Sequence, residues 1–204
     1  EIEGDGCYNY DGVNVIYVIC TILAEIGGGD TKDIVRSILQ QSSYWHDAYL
    51  GDYGLEIMHS VIANAFENSP EELLSMVLEQ GYSAYSRATM LFSLECIALW
   101  HSPAREIIER GVCDIAELIL HGDGSGLPLL NDYTMGALSD VMVSLEMRSS
   151  LPLVKEMHDL YLINERVYGT YEEQLEELSR IEESGNYIET RYTTLEQIYK
   201  AYKN

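Results

Sequence analysis

The amino-acid sequence predicts an all-α fold in which helix pairs stack into a right-handed solenoid of about four pairs, closed by a C-terminal helical cap. Apolar residues recur at spacings of three and four along most of the chain, as on one face of a helix. Only four prolines interrupt 204 residues, and the hydrophobic content of 47% is enough for a packed core. A helix–turn–helix pattern then recurs along the chain, which indicates a repeat architecture.

Two Ser-Pro stretches mark helix starts. The sequence reads ENSPEELL at residues 67–74 and WHSPAREII at residues 100–108. Ser69 and Ser102 are expected to be N-caps, because a serine oxygen accepts the free N–H groups of a first helical turn. Pro70 and Pro103 then take the first helical position, where a missing N–H costs nothing. The two stretches are interpreted as copies of one structural unit.

The repeat is visible when the chain is shifted against itself. A shift of 80 residues, without gaps, places residues 51–78 on residues 131–158, and further shifts add residues 86–110 and 13–39. The first helix of each unit then has three apolar columns: Ile19, Met58, Leu91 and Leu138; Ile22, Val61, Leu94 and Val141; Ile26, Ala65, Ala98 and Leu145. The second helix has two: Ile34, Leu73, Glu106 and Leu153; Val35, Leu74, Ile107 and Val154.

Short turns separate the helices of each unit, at residues 27–30, 67–69, 101–102 and 147–150. A helix pair with one apolar face buries it only by stacking on neighbours, as in an α-solenoid. The period varies (39, 33 and 47 residues), which favours HEAT or armadillo units. Residues 13–160 thus resemble the HEAT/armadillo-like superfamily, and residues 140–178 are similar to the C-terminal part of an uncharacterised bacterial HEAT-like family. The resemblance implies a fold and no established activity. An irregular helical domain with chance self-similarity is the alternative.

Residues 161–204 are expected to cap this single domain of residues 1–204. Residues 171–184 read as a helix with six acids, one base and a narrow apolar stripe of Leu175, Leu178 and Ile181. Residues 194–202 are expected to add a last short helix. A polar outer face on a terminal helix keeps a solenoid in solution.

The charge narrows the choice of partners. The chain has 34 acidic and 12 basic residues, a formal net charge of −22, which repels phosphate backbones and anionic membranes. Direct nucleic-acid binding and membrane binding are therefore disfavoured, and a basic protein is the expected partner. Solubility alone is the alternative reason for the charge. The four cysteines have no zinc or CxxC spacing, which favours reduced thiols in the cytoplasm.

The sequence offers few candidates for catalysis. Glu56 and His59 form one Glu-x-x-His pair, a weak metal-site candidate, because di-iron bundles need two such pairs and further glutamates. The Gly-rich residues 121–126 lack the rest of a calcium or phosphate loop and are interpreted as a connection. Glu95 and Glu106 interrupt apolar columns and are expected to reflect a packing shift or to pair with an arginine such as Arg87 or Arg110. No enzyme activity and no cofactor are predicted.

The aromatic and acidic stretch SSYWHDAYLGDY, residues 42–53, is the preferred contact surface, in the link between the first two units. Tyrosine and tryptophan surrounded by carboxylates are typical of a surface that binds a basic protein. The partner-binding candidates are Tyr44, Trp45, Asp47, Tyr49, Asp52, Tyr53, Glu172, Glu173 and Glu176. The alternative is that these aromatics bury an inter-repeat seam.

The sequence therefore predicts a non-enzymatic binding module, an acidic inhibitor resembling an immunity protein. The alternatives are a metal-binding protein or small enzyme centred on Glu56 and His59, and a structural subunit of a larger assembly.

Overall fold

The computed structural model describes residues 22–23, 29–49, 51–122 and 131–184, and within these ranges the regular structure is entirely helical. The helices are α1 (Gly29–Leu39), α2 (Ser43–Tyr49), α3 (Gly51–Phe66), α4 (Pro70–Leu78), α5 (Ala84–Trp100), α6 (Ser102–His121), α7 (Asp132–Ser144), α8 (Leu151–Asp159), α9 (Glu165–Tyr168) and α10 (Tyr171–Ser184). A single 3₁₀ turn, Arg148–Ser150, precedes α8. None of the described helices combines the length and the hydropathy that crossing a bilayer requires.

The helices pack in two rows. Helices α3, α5 and α7 lie side by side in chain order, and α4, α6 and α8 form a second row beside them. Helix α5 contacts α3, α4, α6 and α7, so it lies at the centre of the packing. Helices α1 and α2 contact α3 at one end, and α9 and α10 contact α7 at the other.

The apolar columns predicted for the first helices are confirmed for α3, α5 and α7. The members of these columns that the structure describes in these helices are at most 6% exposed: Met58, Leu91, Leu138, Val61, Leu94, Val141, Ala65, Ala98 and Leu145. The prediction was wrong for Ile22, which is 44% exposed. Ile19 and Ile26 lie outside the described residues.

The columns of the second helices are confirmed only in part. Val35, Leu73, Leu74 and Val154 are buried, whereas Ile34 is 41% exposed and Leu153 is half-buried. In α6 the buried position is Ile108 rather than Ile107, so the apolar face is displaced by one residue. The displacement explains Glu106, which faces solvent and pairs with Arg110 at 3.1 Å.

Both predicted helix starts exist, but the two serines act differently from the expectation. Ser69 is the N-cap of α4 without a side-chain capping bond, and its hydroxyl instead accepts a hydrogen bond from the Lys32 ammonium of α1. Ser102 is already helical, and His101 is the N-cap of α6. Pro70 takes the first helical position, as predicted, whereas Pro103 is the second residue of α6.

The predicted link between the first two units is itself helical. Residues 43–49 form α2, and α3 begins at Gly51. His46 is buried, and its Nε2 lies 2.8 Å from the carbonyl oxygen of Ile38. Trp45 packs against the core, so part of this stretch buries a seam between helices.

A buried arginine holds the connection between α4 and α5. Arg87 is 2% exposed, and its guanidinium donates to the carbonyls of Val77, Glu79 (2.8 Å) and Tyr82 (3.0 Å). Burial lowers the pKa of Arg87. The expected pairing of Arg87 with Glu95 is replaced by these backbone contacts, while Glu95 is fully buried in α5.

An ion-pair cluster joins α1 to α4. The carboxylate of Glu72 lies 2.6 Å from the Lys32 ammonium and 2.7 Å from the Arg36 guanidinium. Hydrogen bonds from Lys32 and then from Arg36 lower the pKa of Glu72 to about 2. The cluster therefore connects α1 to α4 through charge.

The C-terminal cap differs from the prediction in its buried face. Leu178 and Ile181 of α10 are buried as expected, but Gln174 is buried beside them and Leu175 is half-buried. The proposed last helix at residues 194–202 lies outside the described residues.

We predict that Arg87→Met destabilises the protein by about 3 kcal/mol or more, because three carbonyls around α5 lose their donors. Arg110→Met is the matched control, since Arg110 is 65% exposed and pairs only with the neighbouring turn; we expect a change below about 0.5 kcal/mol. Urea unfolding followed by circular dichroism measures both. Equal midpoints for the two variants would refute the structural role of Arg87.

The Glu72 cluster predicts a pH dependence of stability. Because the pKa of Glu72 is lower in the folded state than its ordinary value of 4.5, its contribution is complete above about pH 4.5 and is lost as the pH falls towards 2. Glu72 is about a third exposed, so we expect Glu72→Gln to remove only about 1 kcal/mol of this pH-dependent stability. Glu71→Gln, at an exposed neighbouring position, should retain the wild-type profile. Thermal unfolding from pH 7 to pH 2 distinguishes the two variants.

Candidate functional site

Aromatic side chains form a continuous row across four helices. We call Trp45, His46, Tyr85, Tyr133 and Tyr168 the aromatic row; they belong to α2, α5, α7 and α9. Successive ring centroids are 5.8 Å (Trp45–His46), 5.8 Å (His46–Tyr85), 6.3 Å (Tyr85–Tyr133) and 5.7 Å (Tyr133–Tyr168) apart. His46 is buried and the other four are half-buried. The partly exposed tyrosine rings of the row are therefore those of Tyr85, Tyr133 and Tyr168.

Helix starts place two of these rings. Tyr85 and Tyr133 are the second residues of α5 and α7. Each helix has a capping side chain: Ser83 accepts from the backbone N–H of Ser86, and Asn131 accepts from that of Thr134. Since α5 and α7 lie side by side, equal positions at their starts bring the two rings together.

Tyr168 reaches the row because α7 has a glycine beneath it. A Cβ atom at Gly136 would overlap the Tyr168 ring. Burial and the hydrogen bond with Tyr133 raise the pKa of Tyr168, so this phenol stays neutral at physiological pH. The close approach of ring and helix therefore fixes the C-terminal end of the row.

An acidic cavity lies at this end of the row. Its volume is about 470 Å³, and its walls come from α7, α9 and α10. Its lining residues are Asp140, Val143, Glu165, Arg166, Tyr168, Gly169, Glu173, Gln174 and Glu177. Four carboxylates and one guanidinium therefore surround the edge of an aromatic ring, which favours a cationic group.

A buried polar network supports the cavity. The amide nitrogen of Gln174 donates to the Tyr168 carbonyl (3.3 Å), which directs the amide oxygen towards the hydroxyl of Ser139 (2.7 Å) and Nε2 of His158 (3.1 Å). Both of these groups donate to that oxygen. The Nδ1 atom of His158 lies 3.3 Å from Glu165. The network thus ties α7, α8, α9 and α10 together behind the cavity.

A second cavity lies at the Trp45 end of the row. It has a volume of about 330 Å³ and is lined by Asp33, Ile34, Ser37, Ile38, Gln41 and Trp45. The walls of this cavity are formed by the outer face of α1 and by the Trp45 indole of α2. The aromatic row therefore runs between two cavities, one largely apolar and one acidic.

The predicted contact residues of the first units divide into two groups. Tyr44 is 81% exposed and Trp45 is half-buried at the apolar cavity. Asp47 and Tyr49 fall in α2, and Asp52 and Tyr53 fall in α3, but their side chains lie outside the described part of the chain. The structure therefore places Trp45 in the aromatic row and leaves Tyr44 on the surface.

The three predicted glutamates of α10 are all exposed. Glu173 and Thr170 form a reciprocal capping pair at the start of α10. The Glu173 carboxylate accepts a hydrogen bond from the backbone N–H of Thr170 (2.7 Å), and the Thr170 hydroxyl accepts one from the backbone N–H of Glu173 (3.3 Å). Glu172 and Glu176 do not line the acidic cavity, whereas Glu173 and Glu177 do. Of the four carboxylates that line the cavity, the sequence therefore singled out only Glu173 and missed Asp140, Glu165 and Glu177.

In the described residues, the weaker candidates for metal binding or catalysis are not arranged around a common site. Within that part of the chain no group of three or more His, Cys, Asp or Glu side chains could hold a metal ion. His59 is half-buried with its ring 5.3 Å from that of Phe92, and the side chain of Glu56 lies outside the description. Cys96 is buried; burial followed by neighbouring carboxylates raises the pKa of Cys113, which disfavours a reactive thiolate. Residues 123–126 of the Gly-rich loop lie outside the described ranges.

Most basic side chains of the described ranges are engaged within the protein. Those within ion-pair distance of a carboxylate are Lys32, Arg36, Arg105, Arg110, Arg148, Lys155 and Arg180. Several of these pairs are local contacts between residues three or four positions apart on one helix. With 34 acids against 12 bases, the excess negative charge has no internal compensation.

The row from Tyr85 to Tyr168 was not predicted from the sequence. The one signal for it is the tyrosine at the second position of α5 and again of α7. Comparison of the chain with protein-family models, curated proteins and solved structures gave no match. The function proposed below is therefore drawn from geometry and charge.

We predict that Gly136→Ala destabilises the protein by about 2 kcal/mol, because the added methyl group displaces the Tyr168 ring, although alanine is ordinarily the better helix former by about 1 kcal/mol. Gly111→Ala in α6 is the control, since its methyl group meets only the mobile end of the Leu74 side chain, and we expect a smaller loss. Thermal unfolding and near-ultraviolet circular dichroism of the tyrosines measure the effect. A stabilised Gly136→Ala variant would contradict the packing of Tyr168 on α7.

Proposed function

We propose that this protein is a non-enzymatic binding module, a right-handed HEAT/armadillo-like α-solenoid that presents an acidic, tyrosine-bearing surface to a basic protein. The two rows of helices support the solenoid. The pairs α3/α4, α5/α6 and α7/α8 follow one another, and each contacts the next through equivalent helices. Helix α1 contacts α3, and we interpret α1 as the second helix of a fourth pair that precedes α3/α4 in the chain.

The observation that supports a basic partner is that most lysine and arginine side chains already contact carboxylates within the protein. Seven lysine and arginine side chains of the described ranges lie within ion-pair distance of a carboxylate, and Arg87 is buried. A partner therefore meets an excess of carboxylates, because few cations are available to offset them. Such a field accelerates encounter with a positively charged protein and disfavours acidic ones.

The aromatic row supplies the second half of this surface. Tyrosines contribute large contact area with little loss of side-chain entropy, and they are enriched where proteins bind one another. Tyr85, Tyr133 and Tyr168 are held by neighbouring rings, so their positions are set before a partner arrives. Charge attracts the partner, and the rings offer it a fixed surface.

A concrete form of this function is inhibition, in which the protein covers the basic active face of a toxin or nuclease, as an immunity protein does. The free thiols of Cys96 and Cys113 support a reducing compartment, and we propose a cytoplasmic, bacterial setting. The metal or enzyme centre at Glu56 and His59 and the subunit of a larger assembly stay predictions without a described geometry that favours them.

The proposed function predicts a salt-sensitive complex with a basic protein. The full chain, immobilised and exposed to lysate at about 0.15 M salt, should retain a protein of high isoelectric point; the purified pair should then bind at least tenfold more weakly at about 0.5 M salt, since exposed charges are screened. The control is an unrelated acidic protein of similar net charge, which should not retain the same partner.

Two results would contradict the proposal. One is that no basic protein remains on the column at about 0.15 M salt after subtraction of the acidic control. The other is a retained partner that is itself acidic and whose affinity does not respond to salt. Either result would remove the charge-based choice of partner.

A further inference from the structure

The spacing of the aromatic row matches that of an extended peptide. The centroids of Tyr85, Tyr133 and Tyr168 follow one another at 6.3 and 5.7 Å. An extended chain rises about 3.3 Å per residue, so side chains on one of its faces recur about every 6.6 Å. A peptide lying along the row would therefore bring every second side chain to a successive ring.

The chemistry beside the rings favours positive side chains at those positions. An arginine or lysine that lies over the face of an aromatic ring, within about 6 Å of its centroid, is attracted by the ring. The protein already makes this contact twice: Lys32 lies 5.0 Å from the Phe66 centroid, and Lys155 lies 6.0 Å from that of Tyr171. Asp132 is exposed next to Tyr133, so a carboxylate accompanies the middle of the row.

The row ends in the acidic cavity. Tyr168 is both the last ring and part of the cavity wall, so a peptide that follows the rings arrives there. A volume of about 470 Å³ accommodates one long side chain, and four carboxylates outnumber Arg166 around it. Of these carboxylates, Glu177 is held by Arg180 of the same helix, and Glu165 lies 3.3 Å from Nδ1 of His158.

We propose that the surface from Tyr85 to the acidic cavity docks an extended basic segment of the partner protein, with arginine or lysine at every second position and one such side chain in the cavity. This inference rests on the proposed function and specifies the part of the partner that is recognised. The segment is held by charge complementarity and by the match between ring spacing and peptide rise.

The test uses two synthetic peptides of equal composition and charge. One has arginine at alternate positions between serines over seven residues, and the other has the same arginines in one block. Fluorescence anisotropy with the full chain at about 0.15 M salt should show the alternating peptide binding about fivefold tighter, the gain expected from two or three modest cation–π contacts.

Matched variants locate the site on the protein. Glu177→Gln should weaken the alternating peptide about threefold, while Glu183→Gln, an equal change of charge at an exposed position of the same helix outside the cavity, should leave affinity within about twofold. Arg180→Gln releases Glu177 from its internal partner and should strengthen binding. Tyr133→Leu should weaken binding, while Tyr161→Leu, at a tyrosine that is 90% exposed and outside the row, should not.

Thermal unfolding of every variant shows whether it is folded, and the glutamate pair decides the question if Tyr133→Leu unfolds. Equal affinity for the two peptides, together with equal effects of Glu183→Gln and Glu177→Gln, would overturn the docking surface and indicate unspecific charge attraction. That result would leave the proposed capture of a basic protein untouched. If instead no basic protein is retained from lysate, while the alternating peptide binds tightly and responds to the variants, the choice of a basic protein as the partner would be overturned.

Discussion

The burial of α5 on nearly all sides is the constraint on which the rest of the structure depends. A helix surrounded by four others has no solvent face, so every polar group on it needs a partner inside the protein. Ser86 donates to the Leu39 carbonyl at 2.7 Å, Ser93 donates to the Thr89 carbonyl at 2.6 Å, and Arg87 occupies three carbonyls of the preceding connection. Satisfying these groups sets the position of α5, and with it the place of Tyr85 at its start.

The distribution of charge follows from the same packing. The basic side chains stabilise helices and the contacts between them: Lys32 and Arg36 connect α1 to α4, and Arg105 of α6 donates to the Leu145 carbonyl at 2.6 Å, where α7 ends. The bases are thereby committed to the fold. The acids outnumber them nearly three to one, so the surface remains negative however the bases are paired. The stability of the fold and the proposed choice of partner therefore draw on opposite charges.

The sequence predicted well what depends on periodicity within a helix and less well what depends on contacts between helices. The columns through Met58, Leu91 and Leu138 are buried because three long helices keep one face inward. The register of α6 was missed because Ile107 and Ile108 are equally apolar neighbours, and only the packing against α4, α5 and α8 distinguishes them. Beyond the adjacent pair Trp45 and His46, successive members of the aromatic row are 35 to 48 positions apart. The end of the row depends on the absence of a side chain at Gly136, which no periodicity reports.

The rings that recognise a partner in this proposal are also packing elements of the fold. Tyr168 lies against Gly136 and hydrogen-bonds with Tyr133, while Gln174 holds its carbonyl from the other side. Such rings lose little conformational entropy on binding, because folding has already fixed them. Half-buried rings, however, expose too little area to hold a partner by apolar contact alone. Charge must then supply the attraction, and the fixed spacing of the rings must supply the selectivity. The proposed docking surface would consequently distinguish a basic partner from other basic proteins by where its cations lie along the chain, rather than by how many it has.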